Sequence, residues 1–409
     1  HDHHHALRAS GDSRFPLIPG RAQSGHRWPP RTTSKPELHM TSPTHPPMRL
    51  HQRDYGTLPD GRVVHEITLS NGAGLVLSLI TLGGIVTTLW VPDRDGVAAN
   101  VVRGFDNLAD YVERNPHFGV IVGRYANRIA LGELVIDGQA HAVSRNDGSN
   151  CLHGGRDGFG KRLWEIASAR EHDQALGGPA VTLRYVSADG EEGFPGRVET
   201  LVTYSLGAGL TWRIDYTATT DRATVVNLSH HDYFNLAGHG SALDHVLTLP
   251  ASRYNPVDAR LIPTGIADVE GTPFDFRRPT AIRAHMGDAD EQLALAGGYD
   301  HNWILDADSD GTPRLAARLE DPASGRTMAL HSTEPAIQFY SGNFLDGSLR
   351  GHEDEAYGRG AAICLEPQHS PDSPHHADWP GTVLRPGAVY RSCSVYRFGV
   401  TPDITAGTA

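Results

Sequence analysis

The 409-residue chain has only three cysteines, Cys151, Cys364 and Cys393. An odd, sparse set without CxxC spacing supports neither a disulfide framework nor a cysteine zinc site. It fits a reducing compartment, so a cytoplasmic location is expected. No apolar run approaches the ~18 residues of a membrane span. FPLIPG (15–20) is short and broken by proline, and makes no secretory apolar core. Basic excess is missing too: the net charge is −12. That argues against nucleic acid or an anionic membrane as partner, because both attract basic surfaces. No GxSxG is present, so a serine hydrolase of that type lacks its nucleophile turn. HExxH and GxGxxG are absent as well, which leaves a zincin or a nucleotide-binding fold unsupported.

Long helical patterns are scarce. FDNLADYVER (105–114) and DADEQLALAG (288–297) each suit a short helix, the first capped by Asp106 or Asn107. What the chain has in abundance is turns, with 45 Gly and 27 Pro. The dipeptide Asp-Gly occurs eight times, at 60, 95, 137, 147, 157, 189, 310 and 346. It favours tight turns because glycine reaches positive φ freely and the Asp side chain bonds nearby backbone. Between the turns lie candidate strands at 74–82, 181–187, 199–206, 210–218 and 224–229. Val202, Tyr204 and Leu206 alternate with Thr203 and Ser205, the period of a half-buried strand. Many short strands with few helices predict an all-β sandwich or barrel.

Residues 1–48 differ. They begin HDHHH, carry eight prolines and show no periodicity. Such a segment buries too little apolar surface to offset its ordering entropy. It is expected to be a disordered or non-native extension, with Met40 or Met48 starting the folded protein. HDHHH has ligand-type side chains but no scaffold to hold them. Residues 49–409 are expected to form one domain.

Several stretches place polar residues where a strand gives way to a turn. GRYANRIA (123–130) supplies Arg124, Asn127 and Arg128, and LHGGRDGFGKRLWE (152–165) sets His153 before a Gly-Gly pair. NLSHHDYFNLAG (227–238) carries His230 and His231, GYDHNWIL (298–305) Asp300, and IQFYSGNF (337–344) Gln338. Glu366 follows Ile363, Cys364 and Leu365, so it is expected to be partly buried, with a raised pKa unless donors are provided. A carboxylate and a neutral imidazole on separate strands make a natural base and acid near neutral pH. Taken alone, Glu366 serves equally well as a partner for an arginine, and each histidine as a structural polar group. His369, His375 and His376 suggest zinc by type, but interleaved prolines favour ordinary loop residues.

Together, in this order, these stretches resemble the galactose mutarotase (aldose 1-epimerase) family. GRYANRIA, LHGG, the NL-x-x-H-x-YFNLAG pattern, LIPTG, GTPFDF, YDHN, Q-x-YSGNF, CLE-x-Q and PDSP carry the likeness from about residue 50 to 400. The resemblance implies a large β-supersandwich binding a free monosaccharide, with no metal or organic cofactor. It implies interconversion of hexose anomers, with Glu366 as the base at the C1 hydroxyl and His231 as the acid at the ring oxygen. His153 would bond near the anomeric centre, Asn127 and Arg128 would grip ring hydroxyls, Asp300 would accept from one, and Gln338 would line the pocket. Phe339 or Trp303 has the shape to pack on a sugar face, although a core role suits either. Departures from the family pattern are His230, where Asn is frequent, Asp232, where a small hydroxyl residue is common, and Ile266, where an acid usually follows LIPTG. A non-catalytic sugar-binding module and an epimerase of phosphorylated hexoses are the competing readings. No feature of the sequence sets an oligomeric state.

Overall fold

In the computed structural model, residues 49–402 are described; the expectation for residues 1–48 lies outside them. The expected turns are present. Seven of the eight Asp-Gly glycines take positive φ, between 59° and 94° (Gly61, Gly96, Gly138, Gly148, Gly190, Gly311 and Gly347). The eighth, Gly158, has φ −71° and serves close approach instead: a Cβ there would lie 2.6 Å from the His153 carbonyl oxygen.

The strands between these turns form mostly antiparallel sheets with few short helices, the expected all-β architecture. The largest sheet has nine strands, with Val198–Leu206, Thr211–Thr220, Tyr390–Val400 and Arg326–Ser332 at its centre. Its inward residues include Val202, Tyr204, Leu206, Trp212, Ile214 and Tyr396, all fully buried. The helix α1 (Leu108–Arg114) begins at Asn107, whose side chain accepts the Asp110 N–H at 2.9 Å. A second, α2 (Glu291–Ala296), is capped by Asp290. Both fall inside the stretches expected to be helical. The remaining elements that matter here are β1 (Ile121–Val122), β2 (Ser229–His230), β3 (Tyr233–Phe234), β4 (Asp300–Ile304), β5 (Ala336–Tyr340) and β6 (Ile363–Gln368).

Strands β3, β6, β5 and β4 lie side by side in a six-stranded sheet. Alternation along them sorts side chains onto two faces. Ile363, Leu365, Ile337, Phe339 and Trp303 face the nine-stranded sheet and join the main core. Glu366, Gln338 and Asn302 stand directly opposite one another across β6, β5 and β4, on the other face. Phe339 and Trp303 are fully buried, so both belong to the core and neither reaches a sugar.

The segment 224–229 departs from expectation. It is two short pieces, Thr224–Val225 and β2, rather than one strand. Asn227 separates them: its amide donates to the His369 carbonyl at 3.1 Å and accepts the His369 N–H at 3.0 Å, while its own N–H goes to the Arg124 carbonyl. A side chain that satisfies foreign backbone in this way withdraws the segment from a continuous ladder. The break turns the following residues toward a cleft.

Phe339 lies behind this polar row and fills the space between the sheets. Replacing it by alanine is expected to cost about 3–5 kcal/mol of stability, as for other buried aromatics. Equilibrium urea unfolding measures the loss; a change under 1 kcal/mol would contradict the packing described.

Candidate active site

The cleft beside β6 is lined by Glu366, His231, His153, Asn127, Arg128 and Asp300, six of the seven site residues expected from sequence. His117, Tyr233, Tyr340 and Phe344 line it as well. Glu366 reaches it from the middle of β6 and is almost completely buried. His231 follows β2, with its backbone held by the loop before β1: Gly119 N–H donates to its carbonyl and its own N–H donates to Val120 O, both at 2.9 Å. Its Nε2 stands 3.4 Å from Glu366 Oε1. That is long for a hydrogen bond and typical of a catalytic pair without substrate.

The opposite wall is built by two residues in left-handed backbone, Asn127 (φ 67°) and His153 (φ 50°). They bond reciprocally: Asn127 N–H donates to His153 Nδ1, and His153 N–H donates to the Asn127 carbonyl, both at 3.0 Å. Gly154 lets this turn press against the neighbouring strand, where a Cβ would sit 2.1 Å from the Gly123 carbonyl oxygen. With Nδ1 accepting, the His153 proton resides on Nε2 and is offered to the cleft. His153, His231 and Glu366 each present one ligand-type atom within 4.8 Å of the others. A metal at His153 Nε2 would have to displace that proton and leave an imidazolate, so the arrangement is that of a hydrogen-bond donor.

Arg128 Nε is held by Asp147 at 2.8 Å, which leaves the far side of the guanidinium for the cleft. Arg124, from the same motif, goes elsewhere: its guanidinium is buried on the carbonyls of Pro195, Ala188 and Gly196. Gln338 does not reach the cleft wall. Its Nε2 donates to Asp300 Oδ1 at 3.0 Å and its Oε1 accepts from Gln368, so both ends of its amide are used beneath the site. It therefore steadies Asp300, where the sequence suggested a pocket lining. His369 bonds Glu334, and His375 bonds Asp372, as loop residues.

Sequence reasoning missed His117, Tyr340, Phe344 and Asp147. Tyr340 and Phe344 lie within a quoted motif, but only the strand register tells which of its aromatics face outward. His117 gives no signal at all, since it sits in an irregular turn at φ 78°.

Electrostatics follow from the burial. Desolvation raises the Glu366 carboxyl well above its ordinary range; Asp300 and Asp232 reinforce this and Arg128 opposes it. Desolvation, with neighbouring His117, lowers His231 well below the usual histidine value. His153 is lowered for the same reasons, and His117 falls to about 4. Both members of the central pair therefore resist charge. The raised proton affinity of Glu366 agrees with the expectation for a carboxyl buried at the end of an apolar run.

Two of the departures in sequence prove to be one feature. His230 points away from the cleft, with Nε2 2.9 Å from Tyr204 Oη and Nδ1 2.8 Å from Asp232 Oδ2. The Tyr204 hydroxyl donates to the Gly84 carbonyl, so it accepts from His230 Nε2–H. The His230–Asp232 contact then needs a further proton of its own. Ile266, the third departure, is exposed and does not line the cleft.

The fold has counterparts. The family model of aldose 1-epimerase matches residues 65–397. The chain belongs to the aldose 1-epimerase family. Rat galactose mutarotase is 41% identical over 349 residues, covering 85% of this chain and 97% of the rat protein. Escherichia coli aldose 1-epimerase is 38% identical over 79% of this chain and 91% of its own length. Among solved structures, galactose 1-epimerase from Lactobacillus acidophilus superposes with a TM-score of 0.77 at 27% identity, covering 87% of this chain and 100% of that one. Membership places the sandwich and its cleft among the epimerases of that family.

The proton inventory has a direct check. In ¹⁵N-resolved NMR titration, His153 and His231 are expected to stay neutral as pH falls through 6.5, the ordinary histidine value. His369 is expected to be protonated there, because Glu334's charge and hydrogen bond outweigh the burial that opposes it. Titration of His231 at or above 6.5 would refute the assignment.

Proposed function

We propose that the protein is an aldose 1-epimerase that interconverts the α and β anomers of a free hexose such as D-galactose or D-glucose. The observation that carries this reading is the buried His231–Glu366 pair, whose Nε2 and Oε1 stand 3.4 Å apart. Mutarotation asks for that and little more. One group removes the proton of the C1 hydroxyl while the other protonates the ring oxygen; the C1–O5 bond breaks and a C1 carbonyl forms. Rotation about C1–C2 and reclosure with both transfers reversed give the other anomer. Because every group that gives a proton must take one back, a pair with one mobile proton is sufficient. Each positioned acid or base typically contributes ~10²–10⁴-fold.

For Glu366 to act first as base its carboxyl must be ionised, against the burial that favours its neutral form. Hydrogen bonds from sugar hydroxyls favour the ionised carboxylate. Around the pair, His153 Nε2–H, Arg128 and the Asn127 amide offer donors, while Asp300 offers acceptors. A desolvated sugar needs both kinds. The cytoplasm is the proposed location, in keeping with three buried, free cysteines.

A sugar-binding module without catalysis has no use for a buried imidazole and carboxyl set 3.4 Å apart. An epimerase of phosphorylated hexoses needs cations; among the described residues lining the cleft the only Arg or Lys is Arg128, already held by Asp147.

Polarimetry of fresh α-D-glucose and α-D-galactose is expected to show faster loss of optical rotation with the protein than without. Glu366→Gln and His231→Asn are each expected to lower kcat on the order of 10²-fold or more; full activity in Glu366→Gln would remove the assigned base. Glucose 6-phosphate is expected to compete poorly with glucose. The pH profile should be bell-shaped. Its acid limb, uptake of a second proton by His231, lies well below 6.5 because the imidazole's pKa is lowered. Its alkaline limb is loss of the shared proton, displaced upward by the burial of Glu366.

A further inference from the structure

His231 lacks the usual means of orientation. Imidazoles that transfer protons are commonly fixed by a hydrogen bond at the ring nitrogen away from the substrate. Here that nitrogen, Nδ1, is buried and has no hydrogen-bond partner among the described residues. Rotation of the ring about its Cβ–Cγ bond would move Nε2 off Glu366, and the one polar group that acts on it from the backbone is its own peptide.

Flat contacts take its place. The Tyr233 ring stacks on His231 with centroids 5.1 Å apart and planes 21° from parallel. The His117 ring stacks at 5.5 Å and 28°. His153 meets His231 edge-on, at 5.1 Å and 90°, and meets His117 edge-on at 4.8 Å. Both stacking rings are themselves anchored. Tyr233 Oη donates to the Pro116 carbonyl at 2.9 Å, and its ring packs edge-on against Phe118. The turn that carries His117 is closed by Asn115, whose side chain accepts the Phe118 N–H at 2.8 Å. This turn is the one tied to the His231 backbone through Gly119 and Val120. To place its ring there His117 adopts φ 78°, a conformation few residues other than glycine take readily. Strain of this kind, held by its surroundings, gathers at functional sites.

We propose that His117 is a positioning residue that fixes the plane of the His231 imidazole by stacking, so that Nε2 stays aimed at Glu366 and the substrate's ring oxygen. The proposal rests on the epimerase reading above. It assigns the work to the ring of His117 rather than to its nitrogens, so phenylalanine should serve in its place. The titratable groups facing His231 are His117, His153 and Glu366, with Tyr233 on its flank and His230 beside it in sequence. Lys161 acts on His117 in turn.

The test compares His117→Gly and His117→Phe with the wild-type chain by polarimetric kinetics, thermal unfolding and NMR of the imidazole nitrogens. Glycine removes the ring and also relieves the positive φ, so the thermal midpoint of His117→Gly is expected not to fall. Its kcat is expected to drop about 10- to 100-fold, in line with the cost of misaligning a reacting group, with KM changed less than about 3-fold. His117→Phe is expected to recover most of kcat. The acid limb of both profiles should move upward, since the imidazole that disfavours protonation of His231 is gone. Wild-type kcat in His117→Gly would overturn the proposal. So would a phenylalanine variant as slow as the glycine one, because a nitrogen contact would then be the cause. Should the wild-type protein not accelerate mutarotation, the functional reading fails by itself. Positioning is then judged on the free protein, where the His231 ring signals are expected to broaden in His117→Gly and stay sharp in His117→Phe; unchanged signals in His117→Gly would refute it.

Discussion

The antiparallel register of β5 against β6 is the constraint on which the site depends. Gln338 lies opposite Glu366, and Phe339 opposite Leu365. Side chains alternate strictly along a strand, so a slip of one residue would send the carboxyl into the apolar core and Leu365 into the cleft. The register is held by burial on the core side, where Ile337, Phe339, Leu365 and Trp303 pack against the nine-stranded sheet. The same strands that fill the core therefore aim the acid. Asp300 on β4 is drawn into the row by Gln338, which makes the polar face a continuous surface rather than a set of isolated groups.

That surface is polar but carries little charge near the His231–Glu366 pair. Three imidazoles crowd together within ring contact, and each is pushed toward neutrality by burial. The carboxyl is pushed the same way. A site so arranged avoids the large cost of burying unpaired charge. The nearest guanidinium, Arg128, is restrained by Asp147 and moderates Glu366 from a distance without neutralising it.

Much of this was legible in the residues. Asp-Gly pairs marked turns because their backbone chemistry is local, and the alternation in 199–206 named the core face correctly. Helices were found where a cap preceded an apolar pattern. Glu366 and His231 stood out because polar groups ending apolar runs are unusual, and the family likeness decided between them and their neighbours. What could not be read depended on distant parts of the chain. Asn227 interrupts a strand by bonding His369, 142 positions away. Gln338 is absorbed by Asp300 and Gln368, and Arg124 by four backbone carbonyls between Ser187 and Gly196. His117 joins the cleft through a backbone conformation that no sequence periodicity encodes.

The His230–Asp232 contact bears on how such a chain can change. Each of the two is fully enclosed, and each supplies the other's hydrogen bond. A chain with only one of them must bury a polar group without its partner, at a cost of roughly 1–3 kcal/mol or more. Sequences carrying both and sequences carrying neither are thus separated by a less stable intermediate. The two positions are expected to be exchanged as a unit, so that a difference at one foretells a difference two residues away.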